Sequence, residues 1–170
     1  MSLISLTRTP LSIACSTAIA ETDAARAQSP AVKAEFEFFD HTADMGLRIR
    51  AANPSELVPI AAKALYAAIG QLHAGPDRTP FRFDRSGDDP AILLRDFLTD
   101  LLLIFERDGR ILVECEANSF TSTQIHVVGQ SAPVDLRRTL YDREVKAITY
   151  HDLAIRPVPG GVEATIIVDI

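Results

Sequence analysis

The sequence has no tryptophan, only two cysteines and just 6% aromatic residues in 170 positions, and each lack removes a class of function. Cys15 and Cys115 have no second Cys or His at ligand spacing, so neither a disulfide framework nor a structural zinc centre is offered, which points to a reducing, cytoplasmic setting. The few aromatics leave no stacking ladder for single-stranded nucleic acid. Cations are also scarce: 17 Lys and Arg against 23 Asp and Glu give a net charge of −6, the wrong sign for direct strong binding to a phosphate backbone. A glycine-rich phosphate loop, a Gly-x-Ser-x-Gly elbow and a His-Glu-x-x-His helix are all missing, so no nucleophile or zinc-protease site is marked. The most apolar stretch, from Ile92 to Phe105, is too short and too charged to span a bilayer, so no membrane role is expected.

What is present suits one globular domain. At 47% hydrophobic and 24% charged, the composition can build a sizeable core without covalent staples. Residues 1–33 differ from the rest: Met1 to Ser29 is small and Ala/Ser/Thr-rich, broken by Pro10, and shows no helical stripe longer than a turn. We read 1–33 as a flexible extension or over-long start and 34–170 as the folded domain. Leu11–Cys15 followed by alanines has a distant look of a secretory apolar region, but Thr9-Pro10 interrupts it and Arg8 is the lone early cation.

The domain opens on Phe36, Phe38, Met45, Leu47 and Ile49, whose period of two predicts two half-buried strands joined by Asp40-His41-Thr42-Ala43-Asp44. Asn53-Pro54-Ser55-Glu56 then carries an N-cap, a first-turn proline and a capping-box glutamate, so a helix starts there and runs through Leu57, Ala61, Ala64, Leu65 and Ala68 to Gly70. Asp89-Pro90 starts a second helix, whose apolar residues Ile92 to Phe105 cover too wide an arc for a simple surface stripe, with Arg95, Asp96 and Asp100 on its wet face. Further strands are expected at Phe81–Phe83, Ile111–Ala117, Gln124–Gly129, Glu144–Asp152 and, after the turn Pro159-Gly160-Gly161, Val162–Val168. The order predicts an α+β, two-layer fold: a mostly antiparallel β-sheet carrying two α-helices on one face.

Chemistry gathers at the two ends of this domain. Asp44 closes the first strand joint, and Asp169 and the Ile170 terminal carboxylate close the last strand. Hard divalent cations need several oxygens at once, and carboxylates brought together from distant segments supply them. The plain structural reading, a turn cap at Asp44 and a polar strand end at Asp169, is not excluded by spacing alone. His41 and His151 carry no ligand-type spacing that singles them out as metal ligands. Lys146 reads as a charge partner for the acids or as a solvated edge lysine.

Three blocks, Phe39-Asp40-His41-Thr42-Ala43-Asp44-Met45-Gly46, Glu144-Val145-Lys146-Ala147-Ile148-Thr149-Tyr150-His151 and Ile166-Ile167-Val168-Asp169-Ile170, resemble the archease family in order and distance. The resemblance implies an α+β domain that binds a divalent cation, calcium in the first instance with magnesium or manganese as alternatives, through Asp44, Asp169 and the Ile170 carboxylate. It also implies a functional part for Lys146, and leaves Asp40, His41 and His151 as further candidates. Archeases serve as accessory proteins of the RtcB-type RNA ligase in tRNA splicing and RNA repair, promoting its guanylylation and repeated turnover, so the resemblance implies a non-enzyme whose partner is that ligase. Two other readings compete: a stand-alone metal-dependent hydrolase built on Asp40, His41, Asp44 and His151, and a general chaperone-like interaction module without a metal. Oligomeric state is not legible.

Overall fold

The computed structural model describes residues 32–170; the leader readings for the preceding residues, Cys15 included, lie outside the described residues. Ten strands and two helices follow in the order β1 (Glu35–His41), β2 (Asp44–Ala51), α1 (Pro54–Ile69), β3 (Gly70–Gln71), β4 (Thr79–Ser86), α2 (Pro90–Asp108), β5 (Arg110–Phe120), β6 (Gln124–Pro133), β7 (Leu140–Tyr141), β8 (Ala147–Ile148), β9 (Ala154–Val158) and β10 (Gly161–Asp169). The fold is α+β, and every strand pairing is antiparallel.

Both helices start as their sequences dictate. The Asn53 side chain accepts from Glu56 N at 3.1 Å while Glu56 Oε1 accepts from Asn53 Nδ2 at 2.7 Å, closing a capping box ahead of Pro54. Asp89 caps α2 by accepting from Ala91 N at 2.8 Å, and Gly109, in the left-handed region at φ 62°, ends it by donating to Phe105 O. The wet face of α2 is narrower than expected. Asp96 and Asp100 meet Arg85, whereas Arg95 folds inward, donating to Ile148 O at 3.0 Å and lying 4.0 Å from the Tyr150 ring. Ile92 and Leu103 are the apolar residues left exposed on that helix.

The strands divide over two main sheets. One has the order β1-β2-β10-β8, with β9 sharing the β10 edge beside β8; the other has the order β4-β6-β5; β3 and β7 make a two-residue pair. Both helices touch both sheets. The core therefore joins Leu47, Ile49, Ala164, Ile166 and Val168 from the first sheet, Leu65 and Leu98 from the helices, and Ile125 and Val127 from the second. Each fully buried Leu or Ile contributes about 1.5–3 kcal/mol. The β5 ladder slips between Leu112 and Glu114, and there the Leu112 N–H donates to the buried Tyr66 hydroxyl of α1 at 2.9 Å, so the helix satisfies what the bulge leaves open.

The strand expected over Glu144–Asp152 shrinks to Ala147–Ile148. The β10 edge offers β8 only Val168 and Asp169, because β9 takes Thr165 to Gly161. Lys146 and His151 consequently sit on irregular chain flanking β8.

Candidate cation site at the sheet end

Register decides how the two ends of the domain meet. Along β2 and β10, Ala51 pairs with Val162, Leu47 with Ile166 and Met45 with Val168, where the ladder ends, so Asp44 and Asp169 are each the next residue beyond it at the same sheet end. Residues directly opposite on antiparallel strands share a face, with Cβ atoms about 4.5–5.5 Å apart. That face is the one turned away from the helices. Leu47, Ile49, Ile166 and Val168 point into the core, whereas Asp44 follows Arg50, Arg48 and Gly46 on the other side. Gly46 is needed there, since a Cβ would lie 2.1 Å from the ring of its cross-strand partner Phe39.

The last residue is anchored on both sides. The Ile170 side chain packs against the core cluster, and the Lys146 Nζ donates to Ile170 O at 2.9 Å while Lys146 N donates to Asp169 O at 2.8 Å. A cavity of about 220 Å³ opens beside it, lined by Phe38, Phe39, Asp40, Asp44, Met45, Arg143 and Ile170. Asp40, Asp44 and the terminal residue thus share one cavity, and Asp169 does not line it. Two opposed carboxylates with a third beside them are mutually destabilising unless cations intervene, and Lys146 and Arg143 are the two the structure brings close. Arg143 was not legible as a site residue; its guanidinium reaches Met45 Sδ at 3.5 Å from a stretch with no strand pattern.

The donor set fits a hard cation. Asp44, Asp169 and the Ile170 terminal oxygens are oxygen donors alone, the ligand type that hard divalent cations take.

The histidines form a second arrangement. His41 is the cross-strand partner of Asp44, with Nδ1 3.9 Å from Asp44 Oδ2, and its Nε2 lies 3.7 Å from Asp152 Oδ2. His151 Nε2 lies 3.5 Å from that same oxygen, and the two imidazole rings are 4.9 Å apart. Sequence spacing offered no reason to join His41 to His151, 110 positions away, and Asp152 was not singled out at all. Only the return of β10 alongside β2 brings the turn after β8 to the β1 end.

Comparison with known proteins places the fold in a family. Residues 36–170 match the archease protein family (MTH1598/TM1083). The chain belongs to the archease family. It is 30% identical over 138 residues to the archease of Methanopyrus kandleri, covering 79% of this chain and 99% of that protein. It is 29% identical over 129 residues to the archease of Pyrococcus abyssi, covering 74% of this chain and 91% of that protein. Among solved structures, this archease resembles Methanobacterium thermoautotrophicum protein 1598 with a TM-score of 0.61 at 26% identity, over 79% of this chain and 98% of that one. It shares the fold of a Thermotoga maritima archease described as a possible chaperone, with a TM-score of 0.60 at 16% identity, over 78% of this chain and 94% of that one. No helix among the described residues is long and apolar enough to cross a membrane.

Proposed function

We propose that this archease is a divalent-cation-binding accessory protein that activates an RtcB-type RNA ligase, promoting guanylylation of the ligase and its repeated turnover in tRNA splicing and RNA repair. The observation that carries the reading is the register of β2 against β10, which ends at Met45 and Val168 and so brings Asp44 and Asp169, the next residues on each strand, to one end of the sheet. Asp44, Asp169 and the Ile170 carboxylate would hold the cation, calcium first, with Asp40 at hand on the same cavity wall. The ion would neutralise the opposed acids and supply a positive charge at an open sheet end. Lys146 holds the terminal carboxylate in place through its 2.9 Å bond and so fixes the direction from which Ile170 offers its oxygens.

Presentation to a protein fits the surroundings. Phe38, 42% exposed, and Phe39 line the cavity together with Asp40 and Asp44, so apolar surface flanks these acids. A ligand that binds one state of a partner better than another shifts that partner toward it; a cation-charged sheet end docking on the activation-competent form of the ligase would act in this way. The net charge of −6 suits a protein partner better than direct contact with RNA.

The test is single-turnover guanylylation of a cognate ligase with and without stoichiometric protein. The wild type accelerates the step, and Asp44→Ala and Asp169→Ala lose the acceleration while keeping the fold by circular dichroism. A ligase rate indifferent to the wild-type protein overturns the proposal. Equal stimulation by the two variants leaves a docking module without a metal, and phosphoester turnover by the purified protein alone, lost in Asp44→Ala, moves the reading to a hydrolase.

A further inference from the structure

His41, His151 and Asp152 stand outside the oxygen set, yet one ligand atom from each lies within 4.8 Å of the other two, the sole such group among the described residues. The separations are informative. Asp152 Oδ2 is 3.7 Å from His41 Nε2 and 3.5 Å from His151 Nε2, too long for hydrogen bonds, whose N···O distances run to about 3.2 Å. An ion bound tetrahedrally at about 2.0–2.1 Å keeps its ligands about 3.4 Å apart. Asp152 Oδ2 thus stands from both imidazoles at nearly the spacing that ligands of one ion keep.

Each group is also held in place independently. His41 ends β1 in ladder with Asp44. His151 is set by its own N–H, which donates to Thr149 Oγ1 at 3.2 Å, while Thr149 is tied through Oγ1 and N to Ile167 O. Asp152 sits in the left-handed region at φ 47°, a conformation that costs a non-glycine residue about 1–2 kcal/mol. The fourth observation concerns His41 itself. Its Nδ1 is buried and has no hydrogen-bond partner, and it faces the Asp44 carboxylate at 3.9 Å. With Nε2 on a metal, Nδ1 must carry the proton, and Asp44, the nearest carboxylate, would have to close from 3.9 Å to become the outer partner that fixes the tautomer of a ligating imidazole.

We propose that His41 Nε2, His151 Nε2 and an Asp152 carboxylate oxygen form a second metal site, one that takes a borderline transition-metal ion of the zinc class. Two imidazoles select such an ion over calcium or magnesium, which favour oxygen donors. The site therefore differs in chemistry from the Asp44, Asp169 and Ile170 set, and it stands whether or not that set binds calcium. His151 and Asp152 are both more than 60% exposed as side chains, 62% and 66%, so the remaining coordination position is open to water or to a donor from a docked partner.

Cobalt(II) titration of the full chain, saturated with calcium, tests the proposal, because tetrahedral cobalt with imidazole and carboxylate ligands absorbs in the visible range and zinc displaces it. One saturable cobalt equivalent is expected. His151→Ala and Asp152→Asn each weaken it at least about tenfold, whereas the control His126→Ala changes it by less than about twofold. The His151 and Asp152 side chains are solvent-exposed, and far-UV circular dichroism confirms that the variants fold. The proposal is overturned by absence of a saturable band, by a band indifferent to His151→Ala, or by one that calcium or Asp169→Asn removes, since the ion would then lie among the acids.

Discussion

Replacing Asp169 with asparagine gives opposite results with and without a cation, and the sign change is a sharp test of the sheet-end site. With the β2–β10 register continued one step past Met45 and Val168, the proposed site sets the side chains of Asp44 and Asp169 about 5 Å apart. Two like charges at that distance repel by about 0.8 kcal/mol at the dielectric of water and about 3 kcal/mol at an effective dielectric of 20. The Asp44 side chain is 34% exposed and Lys146 and Arg143 stand nearby, which places the net effect at the lower end, about 1 kcal/mol. Asp169→Asn is isosteric, and the backbone bond from Lys146 N to Asp169 O does not depend on the side chain. In a chelator the variant should therefore be more stable than the wild type, melting about 3 °C higher for a domain of this size. With calcium at a hundred times its dissociation constant, the wild type gains about 2.7 kcal/mol and the variant gains far less, so the order of the two melting curves reverses. The sequence lacks tryptophan, so the melts are followed by far-UV circular dichroism. If both proteins shift equally with calcium, or if the variant is already the less stable one in chelator, Asp44 and Asp169 are not held apart by charge and reconciled by an ion.

Two further outcomes follow from the same geometry. A residue or tag appended after Ile170 replaces its carboxylate by an amide and should lower calcium affinity while leaving the circular dichroism spectrum unchanged; calorimetry that finds equal affinity for tagged and untagged protein excludes the terminus as a ligand. Tyr66→Phe removes the acceptor of the Leu112 N–H at the β5 bulge and leaves a buried donor unmatched, costing about 1–3 kcal/mol; an unchanged urea midpoint would show that the bulge amide has another partner. The Tyr66 hydroxyl titrates well above its ordinary range because burial disfavours the phenolate, so this contribution should hold throughout the neutral range.

What could be read from the sequence was what neighbours in sequence determine. Asn53 to Glu56 and Asp89-Pro90 start helices through contacts within one turn, and both starts appear in place. The period of two from Phe36 to Ile49 carries the opening hairpin, and the Pro159-Gly160-Gly161 turn carries the approach to β10. Partition of the strands over two sheets was not legible, because it depends on which strands leave an edge free. Glu144–Asp152 has the β-branched content of a long strand, yet β9 occupies most of the edge it would need. The same distinction governs the site. Asp44 and Asp169 announce themselves as strand ends and the β2–β10 register brings those ends to one edge of the sheet, while Asp152 and Arg143 acquire their neighbours only through tertiary return of the chain.

The pair His41 and Asp44 links the two arrangements at this sheet end. They are cross-strand partners closing the β1–β2 hairpin, around a turn in which Thr42 takes the left-handed region at φ 50°. Asp44 faces the terminal strand on one side and the His41 Nδ1 on the other. Under the proposed reading, a cation among the acids draws negative charge away from His41, while a metal on His41 Nε2 makes its Nδ1–H a better donor toward Asp44. Occupancy of either position should then alter affinity at the other by the same factor in both directions, since coupling between binding free energies is reciprocal. Because Asp169 is the final ladder residue of β10, this coupling acts where β10 leaves the sheet, while Ile166, Ile167 and Val168 remain fully buried behind it. A change of ion can thus reshape the surface offered to a partner without disturbing the core.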